Sequence, residues 1–231
     1  MADLSHVEYW IFDLDNTLYR GDAGFFAQID KKITEYVSRY LQLQPLRARE
    51  VQKEYLVDYG TTLSGLMAVH GMNPTEFLDF VHDVDLSSLT PSPQLRQAIS
   101  DLPGQKFIFT NGSRGHAENV ATHLGLWDLF EGSFGVDDVD YVPKPLRSPY
   151  VKFCDHFGIN PQKAVMFEDS LRNLEAPKSM GMKTVLIVSD RAKQCDMDVV
   201  SLDGTVKTAD WVDHITDDLA GLLQSFLSSQ G

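Results

Sequence analysis

The stretch Trp10-Ile11-Phe12-Asp13-Leu14-Asp15-Asn16-Thr17-Leu18-Tyr19 decides how the rest of the chain can fold. The apolar run from Val7 to Phe12, interrupted by one charge at Glu8, predicts a buried strand. Because side chains along a strand alternate between its two faces, Asp13 and Asp15 lean to the same side where the strand ends. Two neighbouring carboxylates repel each other unless a cation lies between them. The stretch therefore predicts a metal site.

Composition and charge restrict the class of protein. The chain has 231 residues, 43% hydrophobic and 23% charged, which suits one large domain or one domain with an insertion. No apolar run is long enough to cross a bilayer, and Met1 to Glu8 lack a signal-peptide pattern, so we predict a soluble, cytoplasmic protein. The net charge of −13 argues against nucleic-acid polymers and membranes as partners. Cys154 and Cys195 are far apart and predict two reduced thiols.

A helical pattern follows Tyr19 and continues for about seventy residues. Apolar side chains recur every three or four residues, and no strand signal interrupts them. The predicted helices are Phe25 to Leu41, Arg47 to Val57, Leu63 to Val69, and a fourth that opens at Asn73-Pro74. We therefore predict a small all-helical cap domain over residues 21–89, inserted after the first strand into a core domain made of residues 1–20 and 90–231.

Strands and helices alternate in the remainder of the chain. The predicted strands are Lys106 to Thr110, Gly132 to Val136, Lys163 to Phe167, Lys183 to Val188 and a segment around Trp211-Val212. The predicted helices are Gln94 to Leu102, Ser113 to Leu124, Ser148 to Phe157, Ser170 to Met180 and Leu219 to Leu227. This alternation is typical of a Rossmann-like α/β core, a mostly parallel sheet with helices on both faces.

Polar residues follow several of the predicted strands. Ligands bind outside the carboxyl ends of the strands in open α/β sheets. Asp13 and Asp15 follow the first strand, Thr110-Asn111-Gly112-Ser113 the second, and Glu168-Asp169-Ser170 the fourth, while Lys144 lies in the loop beyond the third. One hydroxyl, one ammonium and several carboxylates are therefore expected at one edge of the sheet.

These motifs resemble those of the haloacid dehalogenase (HAD) superfamily of aspartate-nucleophile phosphotransferases. The four matching motifs are Asp13-Leu14-Asp15-Asn16-Thr17, Thr110-Asn111, Lys144, and Glu168-Asp169 with Asn173. They occur in the family's order over nearly the whole chain, with a helical cap between the first and second. The resemblance implies a phosphomonoesterase, and a carboxylate such as Asp13 is a recognised nucleophile for phosphoryl transfer.

The resemblance also implies a role for each motif. Asp15 would protonate the leaving alkoxide and later take a proton from water. Lys144 would hold the phosphoryl group, while Thr110 donates a hydrogen bond to it.

The expected cofactor is Mg²⁺, which prefers oxygen ligands. Its expected ligands are the carboxylates of Asp13 and Asp169 and the main-chain carbonyl of Asp15. Glu168 and Asn173 are candidates for the second shell, and Asn173 stands where many superfamily members carry Asp.

The substrate is expected to contact the cap and the loops that face it. Tyr19, Tyr59 and the loop after the second strand resemble the pyrimidine 5′-nucleotidase branch, which cleaves UMP and CMP. Tyr19 or Tyr59 could stack on a flat base. The polar edge of the base could then bond to Thr61, Thr62 or Asn111, and Gly112 is a further expected substrate contact. Packing between cap and core explains the two tyrosines equally well.

Other readings stay open at this point. A sugar-phosphate phosphatase or phosphomutase would use the same motifs, whereas a hydrolytic haloacid dehalogenase needs neither Asp15 nor a metal. A silent binding module would have no use for the intact motifs. We expect Arg114 and His116 on the solvated surface and structural roles for His70, His82 and His123. The protein is expected to be a monomer or homodimer acting on a small phosphate ester, a nucleoside monophosphate in the favoured reading.

Overall fold

A computed structural model describes residues 4–20, 23–188 and 209–228, which form an α/β fold. The strands are β1 (Tyr9–Phe12), β2 (Gln105–Phe109), β3 (Gly132–Phe134), β4 (Ala164–Glu168), β5 (Lys183–Ile187) and β6 (His214–Thr216). The helices are α1 (Ala23–Leu41), α2 (Pro45–Tyr59), α3 (Thr62–His70), α4 (Pro74–Val81), α5 (Pro93–Ser100), α6 (Arg114–His123), α7 (Arg147–Phe157), α8 (Glu175–Ser179) and α9 (Leu219–Ser228). Short 3₁₀ turns occur at Trp127–Leu129, Val136–Val139, Pro161–Lys163 and Leu171–Leu174.

The strands form one parallel sheet in the order β3-β2-β1-β4-β5-β6. β1 lies between β2 and β4, and Phe12 is in register with both Ile108 and Phe167. Since every recorded strand pair is parallel, the carboxyl ends of the strands lie at one edge of the sheet. The predicted Rossmann-like α/β architecture is confirmed.

Apolar clusters cover both faces of the sheet. Ile11 packs into one cluster with Phe107 and Met166, whereas Trp10 and Phe12 belong to the other. The alternation of these β1 side chains between opposite clusters follows the two-residue period of a strand. A strand that is buried on both faces is expected to read as a continuous apolar run, and Tyr9 to Phe12 form such a run.

Helices α1 to α4, called here the helical segment, lie in the chain between β1 and β2. Helix α1 packs along α2 and α4, and Val37, Leu66 and Phe77 are buried among them. The helical pattern predicted after Tyr19 is therefore present, with Gly60 and Gly71 in the left-handed conformation just after α2 and α3. The cap boundaries 21–89 stay a prediction.

The predicted helix Ser170 to Met180 is wrong in its first half, where the structure has the 3₁₀ turn Leu171–Leu174 followed by α8. A continuous α-helix would need an amide N–H at position 177 to donate to the carbonyl of Asn173, and Pro177 has none. The hydroxyl of Tyr150 donates to that carbonyl instead, at 2.6 Å. The 3₁₀ turn is the local result.

The last strand also differs from its predicted position. It pairs with β5 as β6 three residues after Trp211, whose indole N–H donates to the carbonyl of Leu171 at 3.1 Å. Cys154 is a free, buried thiol, and Cys195 lies outside the described residues. None of the described helices combines the length and the apolar character that crossing a membrane requires.

Candidate active site

Three adjacent strands bring polar residues to the carboxyl edge of the sheet. Asp13 follows β1, Thr110 follows β2, and Glu168 is the last residue of β4. The Asp13 amide donates to the carbonyl of Phe167 at 2.9 Å, and the Thr110 amide donates to that of Phe134 at 3.0 Å. Strand pairing therefore extends as far as the polar residues and fixes their backbone positions.

Lys144 connects the loops at this edge. Its side chain is buried, and Nζ donates to Asp13 Oδ1 at 2.8 Å, to Glu168 Oε2 at 2.7 Å and to the Phe109 carbonyl at 3.0 Å. An ammonium has three N–H donors, so each has an acceptor. Asn111 holds the Lys144 backbone, because its Oδ1 accepts from the Lys144 amide at 2.7 Å and its Nδ2 donates to the Lys144 carbonyl at 3.1 Å.

Asp13, Glu168 and Asp169 form a carboxylate cluster. One oxygen from each lies within 4.8 Å of the other two. Burial and the charge of Glu168 raise the pKa of Asp13 to about 8, although Lys144 opposes the shift. Burial, Glu168 and Asp13 likewise raise the pKa of Asp169. Crowded, partly dehydrated carboxylate oxygens fit a hard divalent cation such as Mg²⁺, because its charge would remove the repulsion.

Asn16 is a site residue that sequence reasoning did not select. Its Nδ2 donates to Asp169 Oδ2 at 3.0 Å, which orients the carboxylate towards the cluster. Asn16 has a φ of 59°, a left-handed conformation that Asn tolerates better than most residues, and this preference is the available sequence signal. Asn173 is buried shortly after Asp169, and its place in the metal shell stays a prediction.

Asp15 contacts a different set of side chains. The hydroxyl of Tyr19 donates to Asp15 Oδ1, and Nε2 of His116 lies 3.9 Å from the same oxygen. Burial alone would raise the pKa of Asp15, but the nearby imidazole of His116 and the Tyr19 hydroxyl hold the pKa below its usual value.

The structure corrects the expected surroundings of Tyr19 and His116. The Tyr19 ring is 7% exposed and packs against Phe25 and Phe26, so it does not form an open wall for a base. His116 is 3% exposed rather than solvated, because α6 turns its first-turn side chain inward. Arg114, in contrast, is exposed as expected and pairs with Asp138 at 3.3 Å.

His116 stacks on His82, which comes from the helical segment. The ring centroids are 4.2 Å apart and the planes are inclined by 16°. Ser113 Oγ lies 2.9 Å from His82 Nδ1 and accepts from the His116 amide at 3.2 Å, so it contacts both residues. Burial and His116 lower the pKa of His82 to about 3, and the ring is therefore neutral at physiological pH. The structural role predicted for His82 stays a prediction, and the residue also borders the site.

A cavity of about 320 Å³ lies between the helical segment and the sheet edge. Apolar side chains dominate its wall, including Phe26, Ile33 and Phe77. Its polar lining includes Asp30, Gln52, Thr61, Thr62 and Asn111. Three of the predicted substrate contacts, Thr61, Thr62 and Asn111, thus surround one space.

Most of the predicted substrate contacts already take part in hydrogen bonds within the protein. Thr61 Oγ1 accepts from the Ser64 amide at 3.0 Å as the cap of α3, and the Thr62 hydroxyl donates to the Gln52 carbonyl at 3.1 Å. Gly112 donates its amide to Thr110 Oγ1 at 3.0 Å. Tyr59 is 41% exposed and packs edge-on against Tyr55.

Gln52 is a polar cavity residue that the sequence did not indicate. Its Oε1 accepts from the Thr34 hydroxyl at 2.5 Å, and its Nε2 donates to Asp30 Oδ1 at 2.8 Å. The carboxamide is therefore held in one orientation while one N–H and one lone pair stay unused by these two bonds.

The haloacid dehalogenase-like hydrolase family matches residues 9–181 of the chain. The chain belongs to this family. The predicted superfamily and the predicted class of enzyme, a hydrolase, are thereby confirmed.

Three similar proteins illustrate the range of the family. Phosphate metabolism protein 8 of Saccharomyces cerevisiae is 25% identical over 193 residues, which cover 77% of this chain and 60% of the yeast protein. Putative pyrophosphatase PpaX of Clostridium perfringens is 23% identical, with 75% of this chain and 80% of that protein covered. The crystal structure of a HAD phosphatase from Thermococcus onnurineus covers 95% of this chain and 97% of its own, with a TM-score of 0.64 and 21% identity. The family and the phosphatases within it support a phosphoric monoester hydrolase.

Replacing Lys144 by Met should destabilise the protein strongly. The substitution leaves Asp13 and Glu168 buried without their shared ammonium, so we expect the free energy of unfolding at neutral pH to fall by about 3–5 kcal/mol. The matched control is Lys152→Met, because the Lys152–Asp140 ion pair is exposed and should contribute less than about 1 kcal/mol. Urea unfolding in EDTA measures both values, and equal losses would contradict the prediction.

Proposed function

We propose that the protein is a Mg²⁺-dependent phosphomonoesterase that works through an aspartyl phosphate. The observation that carries the proposal is the Lys144 ammonium, held between Asp13 and Glu168 beside Asp169 and Thr110. Such a group of charges would bind a phosphoryl group together with its metal. An uncharged reacting group would not require these charges.

In the first step, the Asp13 carboxylate attacks phosphorus and the bond from phosphorus to the leaving oxygen breaks. Asp15 gives its proton to that oxygen. In the second step, Asp15 takes a proton from water, the water oxygen attacks phosphorus, and the bond to Asp13 breaks. The arriving phosphoryl group adds negative charge next to Asp15, which raises the pKa of its carboxyl group and favours the protonated acid.

Lys144 and Thr110 have separate tasks in this proposal. Lys144 offsets the negative charge around Asp13 and orients its carboxylate through Oδ1. The Thr110 hydroxyl accepts from Gly112, which leaves its own proton for a phosphate oxygen. Both groups are buried and need little reorganisation when the ester binds.

The carboxylates of Asp13 and Asp169 and the main-chain carbonyl of Asp15 would hold Mg²⁺. Glu168 belongs to the same cluster, but Lys144 and the Ser170 amide already occupy its oxygens. We therefore assign Glu168 to the surroundings of the metal. When bound, Mg²⁺ would supply positive charge to the phosphate oxygens.

We propose a pyrimidine nucleoside monophosphate as the substrate. The 320 Å³ cavity reaches Asn111, the residue after Thr110, and its mainly apolar wall with the aromatic side chains Phe26 and Phe77 suits a flat base. The fixed carboxamide of Gln52 offers one donor and one acceptor, which is the pattern that complements the polar edge of uracil or cytosine. These residues replace Tyr19 and Tyr59 in our assignment of the base contacts. A cytoplasmic location and a monomeric or homodimeric state stay predictions.

The Asp13→Asn variant should fold and lose phosphate release from every ester. Asn is nearly isosteric with Asp but cannot form the acyl phosphate. Released phosphate and the circular dichroism spectrum are the two measurements, with Asp128→Asn, an exposed aspartate paired with Arg96, as the active control. Activity that survives in Asp13→Asn would remove Asp13 as the nucleophile.

Removal of the metal should stop turnover. We expect EDTA to abolish phosphate release and Mg²⁺ to restore it, while the same ionic strength of NaCl should not. Turnover that continues in EDTA would favour the hydrolytic dehalogenase reading, which requires no metal.

A screen of phosphate esters tests the proposed substrate. UMP and CMP should have a kcat/KM at least about tenfold above AMP, GMP and sugar phosphates, because a sugar has no flat base for the aromatic wall and a purine is larger than a pyrimidine in a cavity of about 320 Å³. Gln52→Leu should raise KM for UMP more than KM for p-nitrophenyl phosphate, with exposed Gln97→Leu as the control. A leading sugar phosphate would favour the sugar-phosphate phosphatase or phosphomutase alternative.

A further inference from the structure

Two buried donors converge on one oxygen of Asp15. The Tyr19 hydroxyl already donates to Oδ1, and His116 Nε2 lies 3.9 Å from it. Nε2 of His116 is buried and has no hydrogen-bond partner among the described residues. An unsatisfied buried nitrogen costs free energy, so its orientation towards a carboxylate requires an explanation.

We propose that Tyr19 and His116 are positioning residues that together bind Oδ1 of Asp15 and reserve Oδ2 for proton transfer. The inference rests on the proposed function, in which Asp15 is the general acid. In the step they support, the Oδ2–H bond breaks as the leaving oxygen gains its proton. The same bond forms again when water gives up a proton in the second step.

The surroundings of the two side chains favour this role. Tyr19 lies four residues after Asp15. One residue earlier in each case, Leu18 donates its amide to the Leu14 carbonyl at 3.0 Å. This helix-like turn brings the side chains of Asp15 and Tyr19 to one side. Phe25 and Phe26 enclose the Tyr19 ring and limit its rotamers. The hydroxyl is therefore preorganised and does not depend on a bound substrate.

His116 is held from the opposite direction. Its ring stacks on His82, and its amide is bonded to Ser113. A shift of about 1 Å brings Nε2 from 3.9 Å to hydrogen-bond distance of Oδ1. Because His82 belongs to the helical segment and also lines the cavity, the stack connects the proposed leaving-group site with the proton donor.

The test compares esters whose leaving groups differ in their need for a proton. p-Nitrophenolate leaves without general-acid help, whereas the alkoxide of an alkyl phosphate needs it. For Tyr19→Phe and His116→Leu we expect kcat/KM, which reports only the steps through departure of the leaving group, to fall at least about tenfold on the alkyl ester and less than about threefold on p-nitrophenyl phosphate. His116→Gln retains an N–H donor and should recover most of the lost alkyl-ester activity.

The matched control is Tyr55→Phe, which removes a hydroxyl bonded to His70 in the helical segment and should change neither ester. Thermal unfolding of every variant separates lost folding from lost catalysis, and Tyr19→Phe and His116→Gln retain the buried volume if His116→Leu fails to fold. Equal losses on both esters, or none, would overturn the inference.

Asp15→Asn provides the reference for the underlying mechanism. If it slows the alkyl ester far more than p-nitrophenyl phosphate while Tyr19→Phe does not, the positioning role is wrong and the acid role stands. If Asp15→Asn lowers kcat/KM on both esters alike, the acid role itself is wrong, and the inference falls with it.

Discussion

The arrangement of the active site depends on one buried ammonium. Removing Lys144 from water costs several kcal/mol, and this cost is recovered only when well-placed acceptors surround the charge. Asp13, Glu168 and the carbonyl of Phe109 provide those acceptors, and they come from the ends of β1, β4 and β2. A parallel sheet with β1 between these two strands satisfies the lysine because all three carboxyl ends lie at the same edge.

One lysine does not balance the charge that the sheet assembles. Asp13, Glu168 and Asp169 face a single ammonium inside the cluster, and the raised pKa values of Asp13 and Asp169 express the repulsion that is left. A site optimised for stability alone would replace one acid by an apolar residue. The excess of negative charge suits a bound cation, as the proposed function requires.

The sequence predicted the parts of the site that depend on the main chain. Apolar runs with polar residues at their ends locate Asp13, Thr110 and Glu168, because strand pairing fixes those positions before any side chain is considered. Side-chain orientation was not predictable in the same way. Asn16 meets Asp169 across 153 positions of sequence, and the buried ring of His116 stacks on His82 from a distant part of the chain.

Tyr19 shows why the type of a residue does not by itself settle its role. An aromatic side chain beside a catalytic motif suggests stacking on a base, but ring and hydroxyl have separate requirements. Phe25 and Phe26 already satisfy the ring, and the nearest acceptor for the hydroxyl is Asp15, on the same side of a helix-like turn. The spacing of four residues therefore carried more information than the residue type.

The histidine pair extends this reasoning to the helical segment. Two stacked imidazoles in a buried contact repel each other if both are charged, and the lowered pKa of His82 keeps one ring neutral. The neutral ring can pack closely on His116 without competing for Asp15. In the proposed mechanism, a movement of α4 would shift His82 and, through the stack, the approach of His116 to Oδ1. The segment proposed to enclose the leaving group would then be coupled to the proposed proton donor.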